Sequence, residues 1–480
     1  MTAGANQSCA FLNPPPFRLK FHPTPDAQVF GRFMRQRSFI IITLVLTIAL
    51  SSTGAIAQQS REKPRLKDFG SSLKKLKWDP EANRTTEVQT SRVSTDDDDV
   101  IKIDTSLVAS DLLVLDKQGS PVRGLAANDF TITEDGVAQQ VGHFLLGDTA
   151  GIPRSIVLII DYSGSQFPYI VNSVAAARVL VDQLKPTDQM AIVTDDVQML
   201  IDFTNDKREL KKKLDSLVEK SKGKDGFLGI GGTRRRFGNS AQYSALMATL
   251  KEAFNSEDQR PIIIFQTDGD EAMYLRNSIV EPTVPPGTPP SLLAKVQEEV
   301  EQRKKLQRAG RTEFSLDDVY EQVEKSRATI YTIVPGAKLI GLTPEQLVRT
   351  RKIEDERAIN EMLPTLKKEV REAFLARQEL RKSLVTDEML KARAEEDLKV
   401  QQALAAVALL AGGWTDFLER PEQAQTIYSR IMSDINQRYI IGYYPVNKPK
   451  DGKRHLIKFE VKGHPEYTII GRRSYYARSQ

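Results

Sequence analysis

The stretch SIVLIIDYSGS, residues 155–165, decides the fold of this chain. Residues 155–160 form a continuous apolar run that ends in turn residues, which is typical of a central strand of a parallel sheet buried on both faces. The run is followed by Asp161, and then by Ser163 and Ser165. Open α/β sheets bind their ligands at the carboxyl ends of such strands, so these side chains form a candidate site.

Residues 161–165 alone allow two interpretations. One carboxylate and two hydroxyls are hard oxygen ligands, which suit Mg²⁺, Mn²⁺ or Ca²⁺ better than a soft metal. Aspartate and serine also favour turns between a strand and a helix, because their side chains accept hydrogen bonds from backbone N–H groups. The motif by itself does not decide between a metal site and a helix cap.

A second apolar run favours the metal site. Residues 261–267, PIIIFQT, have the character of another buried strand and are followed by Asp268, Gly269 and Asp270. Two core strands that both end in acidic turns can bring their carboxylates to one edge of the sheet. A shared cation would then balance negative charges that otherwise repel each other.

This arrangement resembles the von Willebrand factor type A domain with its metal-ion-dependent adhesion site. That site has the pattern Asp-x-Ser-x-Ser on a first loop, a threonine on a second loop and an aspartate on a third. The resemblance places Asp161, Ser163 and Ser165 on the first loop and Asp268 on the third. It implies a doubly wound α/β domain, Rossmann-like and mostly parallel. It also implies a divalent cation, with Mg²⁺ expected and Mn²⁺ or Ca²⁺ as alternatives.

The second loop departs from the family pattern. Relatives usually have Gly-Gly-Thr-Ala-Leu-Tyr-Asp-Ala, whereas here the Gly-Gly-Thr of residues 231–233 is separated from residues 241–245 by a basic segment. Alignment on the helix puts Ser240 in the ligand position, and alignment on the glycines puts Thr233 there. We favour Ser240, because the start of the helix fixes the reach of the ligand. The predicted metal ligands are therefore Asp161, Ser163, Ser165, Ser240 and Asp268.

More narrowly, the chain is similar to the type A proteins that are abundant in acidobacteria. Those proteins have a short β-rich segment before the type A domain, which corresponds here to residues 125–130 and 134–136. They end in a segment similar to residues 438–445. The resemblance covers roughly residues 100–340 and 400–480.

Changes of composition divide the chain into five segments. Residues 58–99 are polar and lack periodicity, which predicts a disordered tether, and alternating apolar residues follow. Because a few strands cannot close a core by themselves, we expect the C-terminal strands to complete the N-terminal sheet in a β-sandwich-like segment. The predicted segments are a leader with a signal peptide (1–57), the tether (58–99), a β-rich N-terminal segment (100–150), the type A domain (151–437) and a C-terminal β segment (438–480).

The leader predicts export. Residues 34–57 have a basic start, an apolar core and a small-residue cleavage site, as in a secretory signal peptide, and Met34 is the expected true start. We expect a periplasmic or secreted protein, with an uncleaved membrane anchor as the alternative. The single cysteine, Cys9, also lies in the leader, so the mature protein needs no thiol chemistry. Of the net charge of +5, most belongs to the leader, and nothing in the balance favours nucleic acid.

A charged helical insertion is predicted within the type A domain, at about residues 343–402. Its apolar stripe indicates an amphipathic helix that packs against the parent domain. A coiled coil or a partner-docking arm is the alternative. The residues of the stripe are Ile359, Leu363, Leu366, Val370 and Phe374.

The function expected from these features is binding of a partner protein. A cation held partly by neutral hydroxyls keeps an open coordination position and attracts an acidic residue of the partner. A basic loop could steer that partner, with a merely solvated loop as the alternative. Its residues are Lys220, Lys222, Lys224, Arg234, Arg235 and Arg236.

Two other functions compete with protein binding. The four histidines lie far along the chain from the motif loops, and Ser163 has no neighbouring base, so we expect no enzyme and rank a metal-dependent hydrolase low. A structural envelope protein with a vestigial metal site is the stronger alternative, because the second loop is disrupted. The sequence predicts no oligomeric state.

Overall fold

The structure is a computed structural model, and it describes residues 76–79, 84–87, 107–147, 152–163, 166–221, 241–254, 260–277, 312–365, 387–447 and 450–477, with single helical positions between 290 and 378. The predicted signal peptide at 34–57 lies outside these residues, as does most of the tether. Among the helices that are described, none combines the length and the apolarity needed to span a bilayer.

The described residues form strands and helices in a regular order along the chain. The strands are β1 (Leu76–Asp79), β2 (Arg84–Glu87), β3 (Val108–Leu115), β4 (Phe130–Glu134), β5 (Val137–Gln139), β6 (His143–Leu146), β7 (Arg154–Ile160), β8 (Gln189–Thr194), β9 (Met199–Thr204), β10 (Arg260–Gln266), β11 (Thr329–Pro335), β12 (Thr415–Leu418), β13 (Tyr439–Tyr443), β14 (Arg454–Val461), β15 (Thr468–Ile470) and β16 (Ser474–Tyr476). The helices are α1 (Phe167–Asp182), α2 (Lys207–Ser221), α3 (Gln242–Glu252), α4 (Leu316–Lys325), α5 (Pro344–Met362), α6 (Asp387–Leu410) and α7 (Ala424–Gln437).

The chain divides into two compact units. The larger unit contains Gly151–Ser433, and the smaller unit joins Asp97–Ala150 to Asp434–Gln480. The larger unit therefore holds the two apolar runs that the sequence singles out, and the smaller unit holds both predicted β segments.

A six-stranded sheet forms the centre of the larger unit, in the order β12-β11-β10-β7-β8-β9. Its strands run parallel except β9, which is antiparallel to β8. Every residue of β7 and of β10 is buried, as their continuous apolar runs predict. The strand order reverses between β10 and β8 on either side of β7, which gives the doubly wound, Rossmann-like fold predicted for the type A domain.

Helices cover the sheet and bury the side chains of β7 alternately. Val157 and Ile159 belong to a core that α3, α4 and α6 complete, for example through Leu246, Val319 and Leu404. The intervening residues of β7 are also fully buried, on the opposite side of the pleat. Such a strand, apolar on both faces, can only be central in a sheet with helices on both sides.

Two four-stranded antiparallel sheets form the smaller unit, in the orders β15-β3-β13-β6 and β16-β14-β4-β5. The C-terminal β13 pairs with β3, Tyr439 opposite Leu112, and β14 pairs with β4, Val461 opposite Phe130. Side chains from both sheets share one core. The expected β-sandwich-like segment, built from N- and C-terminal strands, is therefore confirmed.

The insertion packs within the larger unit. Leu347 of α5 and Ala394 of α6 share a small core with Leu339, and Arg351 of α5 pairs with Asp397 of α6. The second half of α6 enters the main core of the unit through Leu404 and its neighbours. This arrangement favours packing against the parent domain over a separate arm for the described part of the insertion.

One element was not predicted from the sequence. β1 and β2 pair antiparallel within residues 58–99, where we expected no regular structure. The strand residues Trp78, Thr85 and Thr86 favour extended backbone. The prediction of a uniformly disordered tether was therefore wrong for this hairpin.

Candidate metal centre

Asp161 and Asp268 lie at the carboxyl ends of two adjacent parallel strands. Ile160 of β7 is paired with Gln266 of β10, and the backbone N–H of Asp161 donates to the carbonyl oxygen of Gln266 at 3.0 Å. Thr267 and Asp268 continue directly from β10. The structure thus brings both predicted carboxylates to the same edge of the sheet, at the position where the strand order reverses.

The carboxylate of Asp161 is fully buried and accepts hydrogen bonds from both sides. Its Oδ1 accepts from the backbone N–H of Ser163 at 2.9 Å, and its Oδ2 accepts from Oγ1 of Thr267 at 3.0 Å. Burial raises the pKa of Asp161, whereas hydrogen bonds from Ser163, Gln242 and Thr267 act in the opposite direction. The orientation of this carboxylate is therefore fixed by two neighbouring loops.

Gln242 links the two carboxylates, a role that the sequence did not reveal. It is the first residue of α3 and is fully buried. Its Nε2 donates to Oδ2 of Asp161 at 3.2 Å and to Oδ1 of Asp268 at 3.4 Å. Its Oε1 accepts from the backbone N–H of Glu271 at 3.0 Å. If Ser240 is aligned with the ligand threonine of the pattern given above, Gln242 stands where that pattern has a leucine, and this difference was the signal available in the sequence.

Gln166 fixes the other oxygen of Asp268. Its Nε2 donates to Oδ2 of Asp268 at 2.9 Å, so the start of α1 contacts the loop after β10. On the other side of β7, Oδ1 of Asp195 accepts from the backbone N–H of Tyr162 at 3.2 Å, and the carbonyl oxygen of Asp195 accepts from the backbone N–H of Ala241 at 2.8 Å. Three loops and the start of α3 are thus hydrogen-bonded to one another around the site.

Glu271 is hydrogen-bonded to the first turn of α3. It is buried, and its carboxylate accepts from the backbone N–H groups of Tyr243 and Ser244 and from Oγ of Ser244 at 2.7 Å. A carboxylate at this position satisfies N–H groups that have no partner within the helix. Burial nevertheless raises the pKa of Glu271 to about 7, against these hydrogen bonds.

The predicted ligands divide into those described and those not. Asp161, Ser163 and Asp268 are brought together, since Ser163 and the shared Gln242 both contact Asp161. Ser165 and Ser240 lie outside the described residues, and so does Thr233, the alternative to Ser240. The same is true of the side chains of the predicted basic loop, Lys220, Lys222, Lys224, Arg234, Arg235 and Arg236.

The described part of the site fits a hard divalent cation. It offers two carboxylates and the hydroxyl of Ser163, which are oxygen ligands of the kind that Mg²⁺, Mn²⁺ and Ca²⁺ prefer. The donors that reach Asp161 and Asp268 from Gln242, Gln166 and Thr267 are uncharged amides and a hydroxyl. These uncharged donors orient the two neighbouring carboxylates without adding positive charge, which a divalent cation would add.

Comparisons with known proteins give similarity to solved structures alone. Neither a protein-family model nor a curated protein matches the chain. The proximal thread matrix protein 1 of the mussel byssus, with a zinc-occupied MIDAS motif, is 11% identical with a TM-score of 0.27, over 59% of this chain and 48% of that chain. This chain therefore spans about half the length of the mussel protein.

Two further solved structures are similar to parts of this chain. The manganese-loaded TRAP protein of Plasmodium vivax is 16% identical with a TM-score of 0.21, over 42% of this chain and 61% of that chain. The vWF domain of the type V pili tip protein Mfa5 of Porphyromonas gingivalis is 14% identical with a TM-score of 0.29, over 59% of this chain and 95% of that chain. At these values the similarities carry no conclusion about function, and the fold assignment stands on the strand order described above.

Proposed function

We propose that this protein is a metal-dependent protein-binding module, used in adhesion or assembly. The observation that carries the proposal is the convergence of Asp161 and Asp268 on one amide nitrogen, that of Gln242. Two carboxylates held this close at the edge of a doubly wound sheet are suited to share one cation. The fold alone would not support this function, because many unrelated functions occur on such sheets.

Asp161, Ser163, Ser165, Ser240 and Asp268 are the residues that would hold the cation, with Mg²⁺ proposed and Mn²⁺ or Ca²⁺ as alternatives. When bound, the cation would supply an open coordination position for a carboxylate of a partner protein. The protein's own residues keep the ligands in place for this purpose. Thr267 and the backbone of Ser163 orient Asp161, and Gln166 orients Asp268.

The partner is proposed to be a protein that offers an acidic residue, and the site is proposed to work outside the cytoplasm, in the periplasm or after secretion. The signal sequence that we predict at residues 34–57 is the reason for proposing this location.

Catalysis is a weaker proposal for this site. The described histidines, His143, His455 and His464, all belong to the smaller unit and not to the unit that contains Asp161. A hydrolytic metal site usually has more carboxylate or histidine ligands than the described residues offer here. We therefore propose that the protein is not an enzyme.

A structural envelope protein with a vestigial metal site is the second candidate. The bridging amide of Gln242 favours this candidate. Its N–H₂ group donates to both carboxylates, so it can hold them together in a protein that binds no cation. The two candidates differ in whether the site binds a cation at all.

Direct binding of Mn²⁺ tests the proposal. Electron paramagnetic resonance should show one tightly bound Mn²⁺ per chain that Mg²⁺ displaces, and Asp268→Asn should lose it. Asp317→Asn, which changes an exposed aspartate of α4, should keep it. Water proton relaxation should report an exchangeable water on the bound ion, which an acidic peptide displaces. Absence of Mn²⁺ binding by the unaltered protein would favour the vestigial site.

A further inference from the structure

A second cluster of metal-ligating side chains lies in the smaller unit. Glu134 ends β4, Asp135 follows it in the turn to β5, and His455 is the second residue of β14. Ligand atoms of these three residues all lie within 4.8 Å of one another. The cluster is independent of Asp161 and Asp268, which belong to the larger unit.

His455 lies between two carboxylates. Its Nδ1 is 2.7 Å from Oδ2 of Asp135, and its Nε2 is 3.2 Å from Oδ1 of Asp451. A neutral imidazole carries a single N–H group and can donate to only one of these carboxylates, whereas an imidazolium donates to both. A metal ion at Nδ1 would take the place of the second proton, because the lone pair of Nδ1 and the facing carboxylate would both become ligands.

The contact with Asp451 completes the arrangement expected of a metal-binding histidine. Such a histidine usually donates the N–H group of its other ring nitrogen to a carboxylate or a carbonyl oxygen, which fixes the tautomer and the orientation of the ring. Asp451 lies in the loop before β14 and contacts Nε2, leaving Nδ1 on the side of Asp135. Asp451 would therefore position the ligand without contacting the ion.

The two carboxylates of the cluster also accept hydrogen bonds from neighbouring groups. Glu134 is buried and accepts from the hydroxyl of Tyr443 at 2.7 Å and from that of Tyr475 at 3.2 Å. Asp135 accepts from the backbone N–H of Leu456 through Oδ1 at 2.9 Å, so its Oδ2 is the oxygen directed at His455. Each of these oxygens retains a lone pair for an ion.

We propose that Glu134, Asp135 and His455 form a second metal site, which binds a transition-metal ion of the Zn²⁺ class. One imidazole with two carboxylates suits Zn²⁺, whereas Mg²⁺ and Ca²⁺ prefer sites made of oxygen alone. With ligand distances of about 2.1 Å, a tetrahedral ion needs Nδ1 and Oδ2 to separate to about 3.4 Å. The side chain of Asp135 is exposed, so its rotation can bring Oδ2 to this distance from Nδ1. The ion would tie the β4–β5 turn to β14.

Cobalt serves as the probe for this site, because Co²⁺ gives visible absorption when it is bound with tetrahedral geometry. The full chain carrying Asp161→Asn and Asp268→Asn is freed of metal with a chelator and titrated with Co²⁺. We expect saturation at one Co²⁺ per chain and displacement of the cobalt by Zn²⁺. Because the first site is removed in this background, the result does not depend on the proposed cation site at Asp161.

Variants of the cluster test the assignment of ligands. Asp135→Asn should weaken Co²⁺ binding at least about ten-fold, and Asp451→Asn about ten- to a hundred-fold. Asparagine can keep the hydrogen bond with Leu456 and tolerates the left-handed backbone of Asp135, at φ 46°, so the fold is preserved. His455→Gln should abolish binding.

His464→Gln is the matched control, because His464 also contacts a carboxylate, that of Glu466 at 3.1 Å, but lies in the loop after β14. This variant should bind Co²⁺ as the parent does. The proposal would be overturned if the protein carrying only Asp161→Asn and Asp268→Asn bound neither Co²⁺ nor Zn²⁺. It would also be overturned if Asp135→Asn and His455→Gln left the binding unchanged.

Discussion

The Nε2 atom of Gln242 lies 3.2 Å from Oδ2 of Asp161 and donates a hydrogen bond to this buried carboxylate. The same nitrogen also reaches Asp268, and Oε1 of the amide accepts from the backbone of Glu271. One side chain thus connects the strand β7, the helix α3 and the loop after β10. The position of Gln242 makes it the residue that controls how the site behaves without a cation.

Gln242→Leu should destabilise the cation-free protein by about 1–3 kcal/mol, because the buried acceptor of Asp161, the partly buried acceptor of Asp268 and the buried N–H group of Glu271 lose a partner. The rise in the unfolding midpoint on adding Mg²⁺ should become larger than in the unaltered protein, since the cation then no longer replaces an existing contact. Thermal unfolding with and without a chelator measures both effects. Gln425→Leu, at an exposed position of α7, is the control, and equal cation responses in the three proteins would refute this role of Gln242.

Glu271 should make the larger unit less stable as the pH rises. Its pKa is raised from 4.5 to about 7 in the folded protein, so between these pH values the folded chain keeps a proton that the unfolded chain releases. The proton stabilises the folded state at low pH, and this contribution, about 3 kcal/mol at most, is lost by pH 7 and above.

Glu271→Gln should remove this pH dependence. The amide cannot ionise, and its oxygen can still accept from the start of α3, so the variant should lose less stability than the unaltered protein between pH 5 and pH 8. Denaturant unfolding in the presence of a chelator measures the difference. Glu422→Gln changes an exposed glutamate and should follow the unaltered protein. Parallel stability profiles for all three would contradict the raised pKa.

A side chain at position 269 should destabilise the folded protein. It has a φ of 72°, and a Cβ atom there would lie 2.8 Å from Cδ1 of Leu404 and 3.0 Å from Cγ1 of Val400 on α6. Gly269→Ala therefore combines backbone strain with overpacking, and we expect a loss of about 2–4 kcal/mol in the free energy of unfolding.

Gly341→Ala separates these two causes, because Gly341 has a φ of 91° but open space around the added Cβ atom. Strain alone should cost about 1–2 kcal/mol there. Denaturant unfolding compares the two variants. If the two variants lose the same free energy of unfolding, contact between α6 and the loop that carries Asp268 does not contribute to the loss.

The sheet and its acidic edge could be predicted from the sequence because the signal lies in short, continuous stretches of the chain. The apolar runs of β7 and β10 have no polar face, so only a central parallel position buries them. Parallel strands end at the same edge of a sheet, and this rule is enough to place Asp161 near Asp268.

The supporting residues could not be predicted because their partners are distant in the sequence. Gln242 and Glu271 resemble ordinary residues of a helix and a turn until the fold brings α3 to the loop after β10. The hairpin of β1 and β2 was missed for a different reason, since short strands in a charged segment give almost no periodic signal.

Thermal unfolding of the purified protein with Mg²⁺ or with a chelator tests the central claim most directly. A cation that binds only the folded protein should stabilise it by about 2.7 kcal/mol at a hundred times its Kd, and the midpoint should rise accordingly. Asp161→Asn and Asp268→Asn should each lose this rise, whereas Asp317→Asn should keep it. If Mg²⁺, Mn²⁺ and Ca²⁺ all leave the midpoint of the unaltered protein unchanged, the edge of the sheet binds no cation and the proposed function is wrong.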